Sequence, residues 1–213
     1  MPLVAAFSQG RFAPGVKPFV WVDPPVIALQ HARVIDTGQA ARENQTVVID
    51  HGKIAAVGPA ASTPAPSAAL PLDLTGQTVI PGLVGMHEHL FYPSGGGIPI
   101  YNEQAFSFPR LYLATGVTTA RTGGQLEPYT DLNIKRMVDA GRMLGPKLHV
   151  AGPYLEGPGS IAGPQMHELS GPEDARAHGR LLGCGRLYVL QSLHEHHTRR
   201  AEGGGGCRAQ ARH

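Results

Sequence analysis

The sequence predicts an α/β fold in two parts: a β-only front over residues 1–80 and parallel βα units from residue 81 onward. Two patterns carry this reading. Short Val- and Ile-rich runs separated by turn residues fill the front. After Pro81, strand-like and helix-like segments alternate, which calls for parallel strands joined by crossover helices.

The elements follow in order. Residues 1–25 are Pro-rich and irregular. Residues 26–35 read as a strand, and 47–50 and 53–57 as a hairpin turning at His51-Gly52, where glycine supplies a positive φ. A Pro/Ala/Ser-rich loop over 60–69 and short β runs at 73–74 and 78–80 complete a small antiparallel unit. Beyond it, 83–86 is a buried strand ending in His87-Glu88-His89, followed by a Gly/Pro-rich loop over 93–99. Residues 102–114 read as a helix with Pro109 as its weak point, 116–120 as a strand, 131–140 as a helix and 147–151 as a strand. A last helix opens at Ser170, with Glu173 completing a capping box and Pro172 in the first turn.

Composition narrows the function classes. The 213 residues are 42% hydrophobic and 16% charged, enough apolar content to build a core. A net charge of +2 gives no electrostatic reason to expect nucleic acid or an anionic membrane, and no apolar run reaches the roughly 20 residues of a membrane span. Neither a basic n-region nor an A-x-A site marks a signal peptide. The compartment stays open: cytoplasmic, or periplasmic or secreted if a leader preceded the start. The charge is unevenly placed. Residues 179–213 hold six Arg and two Glu, a net of +4, which leaves −2 for residues 1–178.

The chemistry centres on His87 and His89. Side chains two apart on a strand share a face, so both imidazoles can address one centre, and the C-terminal end of a βα strand is where active-site groups gather. Two neutral imidazoles suit zinc or a similar divalent metal, which can lower the pKa of bound water to about 7. Glu88 between them faces the other way and reads as structural. Taken alone, H-x-H is a weak signal.

Context strengthens it. Thr78-Val79-Ile80-Pro81-Gly82-Leu83-Val84-Gly85-Met86-His87-Glu88-His89 resembles the entry to the barrel in the amidohydrolase superfamily. Ala32-Arg33-Val34-Ile35-Asp36 and the stretch from Val48 to Gly58 resemble its N-terminal β-sandwich portion, and Gly116-Val117-Thr118-Thr119-Ala120-Arg121 resembles its second barrel strand. The resemblance covers residues 26–178 and is nearest the imidazolonepropionase-like branch. It implies the first part of a (β/α)8 TIM-like barrel, about three βα units over 81–178, preceded by a small β-sandwich portion over 1–80. It implies a hydrolase that cleaves carbon–nitrogen bonds of small amides or cyclic amides with one or two divalent metals, zinc foremost, His87 and His89 being metal ligands. The family's remaining ligands, a Lys or Glu, two His and an Asp, have no assignable counterpart. Thr122 departs from the Asp that many relatives carry after the Arg. Glu156 and His167 are weaker candidates for substrate contact, set against the plainer reading of solvated polar side chains. The glycines after Ser94 suggest a flexible loop near the site.

The tail breaks the pattern. Where a fourth unit belongs, residues 179–213 are Gly- and Arg-rich and carry both cysteines, Cys184 and Cys207. Reading the codons one base later permits a strand, TSFKAYM, and an amphipathic helix, TRAELKAAVDAAHKRG, ended by glycine. The Lys of that strand then replaces Gln191 and resembles the family's metal-bridging Lys. The expectation is a frame-shifted tail and an incomplete, inactive chain. The rival expectation is a non-catalytic metal-binding or interaction fragment that uses His194, His196 and His197.

Overall fold

The computed structural model describes residues 11–95, 100–127, 129–159, 166–184 and 191–192, with backbone only for 181–184 and 191–192. The chain divides into two compact units, one of residues 18–82 and one combining residues 1–17 with 83–213.

The first unit is a five-stranded sheet: β1 (Val26–Val34), β2 (Arg42–Asp50), β3 (Lys53–Pro59), β4 (Leu70–Asp73) and β5 (Thr78–Val79). The β2–β3 hairpin turns at the expected place, with Asp50 opposite Lys53. Both turn residues are left-handed, His51 at φ 45° and Gly52 at φ 76°. That pair of positive φ values matches the right-handed strand twist.

The sheet is mixed, which corrects the antiparallel expectation. β1 is antiparallel to β2 but parallel to both β4 and β5. One strand holds two parallel partners in succession because it bends between Leu29 and Ala32, where the register slips. His31 takes φ 60° there, Asn44 across from it takes φ 48°, and the His31 ring meets the Asn44 side-chain oxygen at 2.9 Å. Ala32, Val34 and Val47 form the buried centre, with Leu29, Ile49, Leu74 and Val79 packed on it.

The second unit is built on a three-stranded parallel sheet of β6 (Leu83–Glu88), β9 (Val117–Thr122) and β10 (Lys147–His149), in the order β10–β9–β6. Between β6 and β9 come an antiparallel hairpin, β7 (Phe91–Ser94) with β8 (Ile100–Glu103), and helix α1 (Ser107–Ala114). The hairpin corrects the reading of 102–114 as one helix. Residues 100–103 alternate in exposure and pair with 91–94, whereas the helix starts at Ser107 and so places Pro109 in its first turn. There a missing N–H costs nothing, and Pro109 is buried rather than disruptive.

Helix α2 (Thr130–Asp139) connects β9 to β10. Its inner face brings Leu132 and Ile134 onto Leu90, Ala120, Leu148 and Val150, and Phe108 and Tyr112 of α1 pack against the same cluster. β11 (Tyr154–Leu155), α3 (Pro172–Cys184) and β12 (Gln191–Ser192) follow, with β12 parallel to β11. α3 runs across residues 178 and 179. Its opening differs from the expected capping box: Asp174, not Glu173, accepts from the Ser170 N–H at 2.9 Å and from its hydroxyl at 3.0 Å. The helix begins one residue later than the box assumed, which puts Asp174 rather than Glu173 at the third helical position.

Consecutive parallel strands lie side by side with helices between them. β6 is an edge, and Leu83, Val84 and Met86 on it are 52–64% exposed. Among the described residues no helix is long and apolar enough to cross a membrane. His194, His196, His197 and Cys207 lie outside the described residues.

Candidate metal centre

His87 and His89 stand where β6 ends, beside the end of β9. Glu88 pairs with Thr122, and its carbonyl accepts from the Gly123 N–H at 2.8 Å. The two imidazole centroids are 5.1 Å apart with planes at 77°. The His87 ring occupies space that only a glycine leaves open: a Cβ on Gly123 would lie 2.5 Å from its Nε2. The His89 ring is half-buried, against Phe91 at 4.9 Å and Tyr154 at 6.2 Å. Its Nδ1 lies 3.4 Å from the Gly124 carbonyl and 3.3 Å from the Tyr154 hydroxyl. In the tautomer whose Nδ1–H is given to the Gly124 carbonyl, Nε2 is the unprotonated nitrogen. Burial holds the His89 pKa below its ordinary value, and the neighbouring His87 adds to this, while Gly124 and Glu88 oppose it.

Glu88 points away from this pair. Its side chain folds over Gly85, whose added Cβ would lie 2.5 Å from a Glu88 oxygen. The Tyr112 hydroxyl donates to the His89 carbonyl at 2.9 Å, and its pKa is raised first by burial and then by Glu88.

The residues fit part of a divalent-metal site: the pair offers two imidazole rings, a glycine makes room for one, and a carbonyl lies beside the other. Yet no group of three His, Cys, Asp or Glu converges to hold a metal among the described residues.

Glu156 lies just past β11, where Leu169 N–H donates to its carbonyl at 2.7 Å. It is 2% exposed, so it is not a solvated loop carboxylate. His167 meets Asp174 at 3.2 Å and stacks on His178 at 4.7 Å, so its contacts are with the first half of α3 rather than with the histidine pair.

Four residues of this region escaped the sequence reading. Tyr154 closes on His89, and Gly124 leaves room for its ring. Gln125 is fully buried and ties two segments together, donating to the Ala151 carbonyl at 2.9 Å and accepting from the Asp131 N–H at 3.1 Å. Asp131 and Glu103 bring buried carboxylates. Burial pushes Asp131 up to about 7, against the Thr122 hydroxyl, which lowers it. Burial, then Asp131 and Glu127, push Glu103 up to about 8. No local signal marks these residues, because each becomes special only when strands distant in sequence come together.

Comparison with known proteins gives the same direction. No family profile matches the chain. A dihydroorotase of Trichlorobacter lovleyi is 31% identical over 105 residues, which is 49% of this chain and 23% of that protein. A dihydroorotase of Syntrophus aciditrophicus is 40% identical over 67 residues, 32% of this chain and 16% of that protein. Among solved structures, a Bifidobacterium longum protein assigned as a prolidase superposes with a TM-score of 0.64 at 28% identity, over 79% of this chain and 40% of its own. The Aspergillus niger ochratoxinase, at TM-score 0.62 and 19% identity over 80% of this chain and 47% of its own, shares the fold. The chain thus spans about a quarter or less of the curated relatives and under half of these solved neighbours. These likenesses support the amidohydrolase superfamily.

Proposed function

We propose that this chain carries the first part of a metal-dependent hydrolase that cleaves carbon–nitrogen bonds of small amides, cyclic amides included. The observation that carries the reading is the placement of His87 and His89, adjacent at the C-terminal end of a parallel strand, with His89 oriented by Gly124. Dihydroorotases among the relatives support the cyclic-amide class. The prolidase assignment of the Bifidobacterium longum neighbour keeps peptide-like amides within the range to be assayed. The motif order favours the imidazolonepropionase-like branch, and Gly123 and the β6–β9–β10 order are consistent with the wall of a (β/α)8 barrel.

A divalent metal, when bound, polarises a substrate carbonyl and acidifies water. The chain's own residues do the rest of what can be derived. His87 and His89 would hold the ion, and Gly124 fixes the ring orientation of His89. Tyr154 and Phe91 wall off the His89 side from water. Two ligands do not make a closed or catalytic zinc set, so the 213-residue chain is expected to bind zinc weakly and to turn over no substrate. This fits the frame-shift reading, in which the bridging Lys stands at the Gln191 position.

Two measurements test the reading. Zinc titration of the chain should show binding that His87→Ala and His89→Ala each abolish and that removal of residues 179–213 leaves intact. Binding that vanishes with the tail instead supports the metal-binding fragment. Sequencing the gene after the His178 codon should reveal a second frame encoding a strand and a helix. The protein restored to that frame should hydrolyse cyclic amides, N-acyl amino acids or dipeptides with added zinc. An alternative frame without such a segment overturns the frame-shift part.

A further inference from the structure

Three segments meet beside the histidine pair, and one buried side chain joins them. β9 ends at Thr122, β10 ends at His149 and α2 begins at Thr130. Ala151 lies past the last paired residue of β10. The Asp131 N–H is in the first turn of α2, where no intrahelical carbonyl can accept it. Tyr129, at the N-cap, makes no side-chain cap and takes φ 71°. Gln125, 0% exposed, serves both groups. Its Nε2 donates to the Ala151 carbonyl at 2.9 Å, and its Oε1 accepts from the Asp131 N–H at 3.1 Å. Its own carbonyl accepts from the Tyr154 N–H at 3.0 Å, next to a parallel bridge with Pro153.

Thr122 ties the near side of the same turn, its hydroxyl accepting from the Ala151 N–H at 2.9 Å. Between Thr122 and Gln125 lie only Gly123 and Gly124. Two successive glycines leave the backbone wide freedom, and Gly124 takes φ 152°. Yet these are the residues that meet the histidines. The Gly123 N–H donates to the Glu88 carbonyl at 2.8 Å, and its missing Cβ leaves room for the His87 ring. The Gly124 carbonyl is 3.4 Å from His89 Nδ1.

The second group facing that nitrogen is the Tyr154 hydroxyl, at 3.3 Å. Tyr154 belongs to the segment held by the Gln125 carbonyl, three residues past the Ala151 that the Gln125 amide holds. Both atoms facing His89 Nδ1 therefore sit on chain bonded directly to Gln125. Without the amide, the Gly-Gly turn keeps its ties at Thr122 and Glu88 but loses both side-chain ties beyond Gly124.

We propose that Gln125 is a positioning residue for the histidine centre: its buried amide sets where the Gly124 carbonyl and the Tyr154 hydroxyl stand relative to His89 Nδ1. Its effect on metal binding rests on the reading of His87 and His89 as ligands; its placing of the His89 ring does not.

The test uses the full chain. Gln125→Met keeps the length and removes the amide, leaving the Ala151 carbonyl and the Asp131 N–H unpaired. Gln125→Ala is gentler on folding, because it opens polar space where water can satisfy both groups without joining them rigidly. Ile134→Val is the control: Ile134 is 3% exposed in the core beneath α2, so the change loosens the same unit without touching the amide. The His89 ring-nitrogen resonances are read by NMR in metal-free protein, above the titration range of imidazole, and assigned by their loss in His89→Ala. Zinc affinity is read by chelator competition and referred to the folded fraction from urea unfolding. Both Gln125 variants should move the His89 resonances toward those of free imidazole. Their zinc affinity should fall about tenfold to a hundredfold, the usual loss when the support of a metal ligand is removed. Ile134→Val should leave resonances and affinity at parent values. His89 resonances unchanged in Gln125→Ala, or moved as far by Ile134→Val, overturn the proposal. Zinc binding in the parent, with resonances and affinity kept in the Gln125 variants, defeats the positioning role and leaves the metal reading intact. Resonances that move in the variants of a parent that binds no zinc support the positioning role and defeat the metal reading.

Discussion

Replacing Asp131 with Asn should stabilise the protein, and the gain should depend on pH. Asp131 is fully buried, and burial raises it from 3.8 to about 7 against a hydrogen bond from the Thr122 hydroxyl, which lowers it. Each unit is worth about 1.4 kcal/mol, so keeping this group ionised inside the fold costs up to roughly 4 kcal/mol above that range. The sign follows from proton binding. Between 3.8 and about 7 the folded protein holds a proton that the unfolded chain has released, so stability falls as pH rises through that window and is flat above it. Asn has no such slope, but burying amide N–H donors where the carboxylate brought only acceptors costs about 1–3 kcal/mol. The net gain for Asp131→Asn should therefore be roughly 1–3 kcal/mol at about pH 8, shrinking by about 3 kcal/mol by about pH 5, where it reaches zero or reverses. Glu103 has the same sign of slope in both proteins, and loss of the Asp131 charge lowers its pKa, which adds to the gain. Urea unfolding in pH steps reads the difference directly. Parallel stability curves, or an Asn variant less stable at every pH, would refute the burial argument.

Two further predictions concern glycines that make room for the neighbouring chain. Gly123→Ala would put a Cβ 2.5 Å from His87 Nε2. The ring must swing aside, so zinc affinity in a chelator competition should fall roughly tenfold or more, as when the support of a metal ligand is removed, with little change in the urea midpoint. An unchanged affinity would show that His87 does not need that ring position. Gly141→Ala is different in kind. Gly141 has φ +65°, and its Cβ would lie 2.2 Å from the Arg11 carbonyl oxygen, a backbone atom. Its own carbonyl accepts from the Ala13 N–H at 2.9 Å. Here melting should drop by the equivalent of about 1–3 kcal/mol, with faster proteolysis around residues 11–17. A melt unchanged from the parent would mean this contact is not needed for stability.

How much of this was legible in advance varies with the range of the interactions. The His51-Gly52 hairpin, β6, β9, α2 and β10 all follow from patterns a few residues long. The 100–103 strand was hidden because its partner, 91–94, lies across a glycine-rich loop and because the following apolar residues suit a helix. Pro109 looked like a breaker until the helix start moved to Ser107. The front sheet read as antiparallel because the hairpin is local, while the parallel pairing of β1 with β4 and β5 crosses some 40 residues.

The sequence by itself determined the α/β class, the strand that ends in His87-Glu88-His89, and the separation of those two imidazoles from Glu88, since period-two alternation allows no other arrangement. It also showed that the +2 net charge joins a −2 front to a +4 tail. The tertiary structure alone decided what surrounds the histidines. Gly123, Gly124, Tyr154, Gln125, Asp131 and Glu103 come from four separate segments, and their surroundings arise only when β6, β9 and β10 lie side by side. Local patterning places a side chain on a face; only packing decides what that face meets.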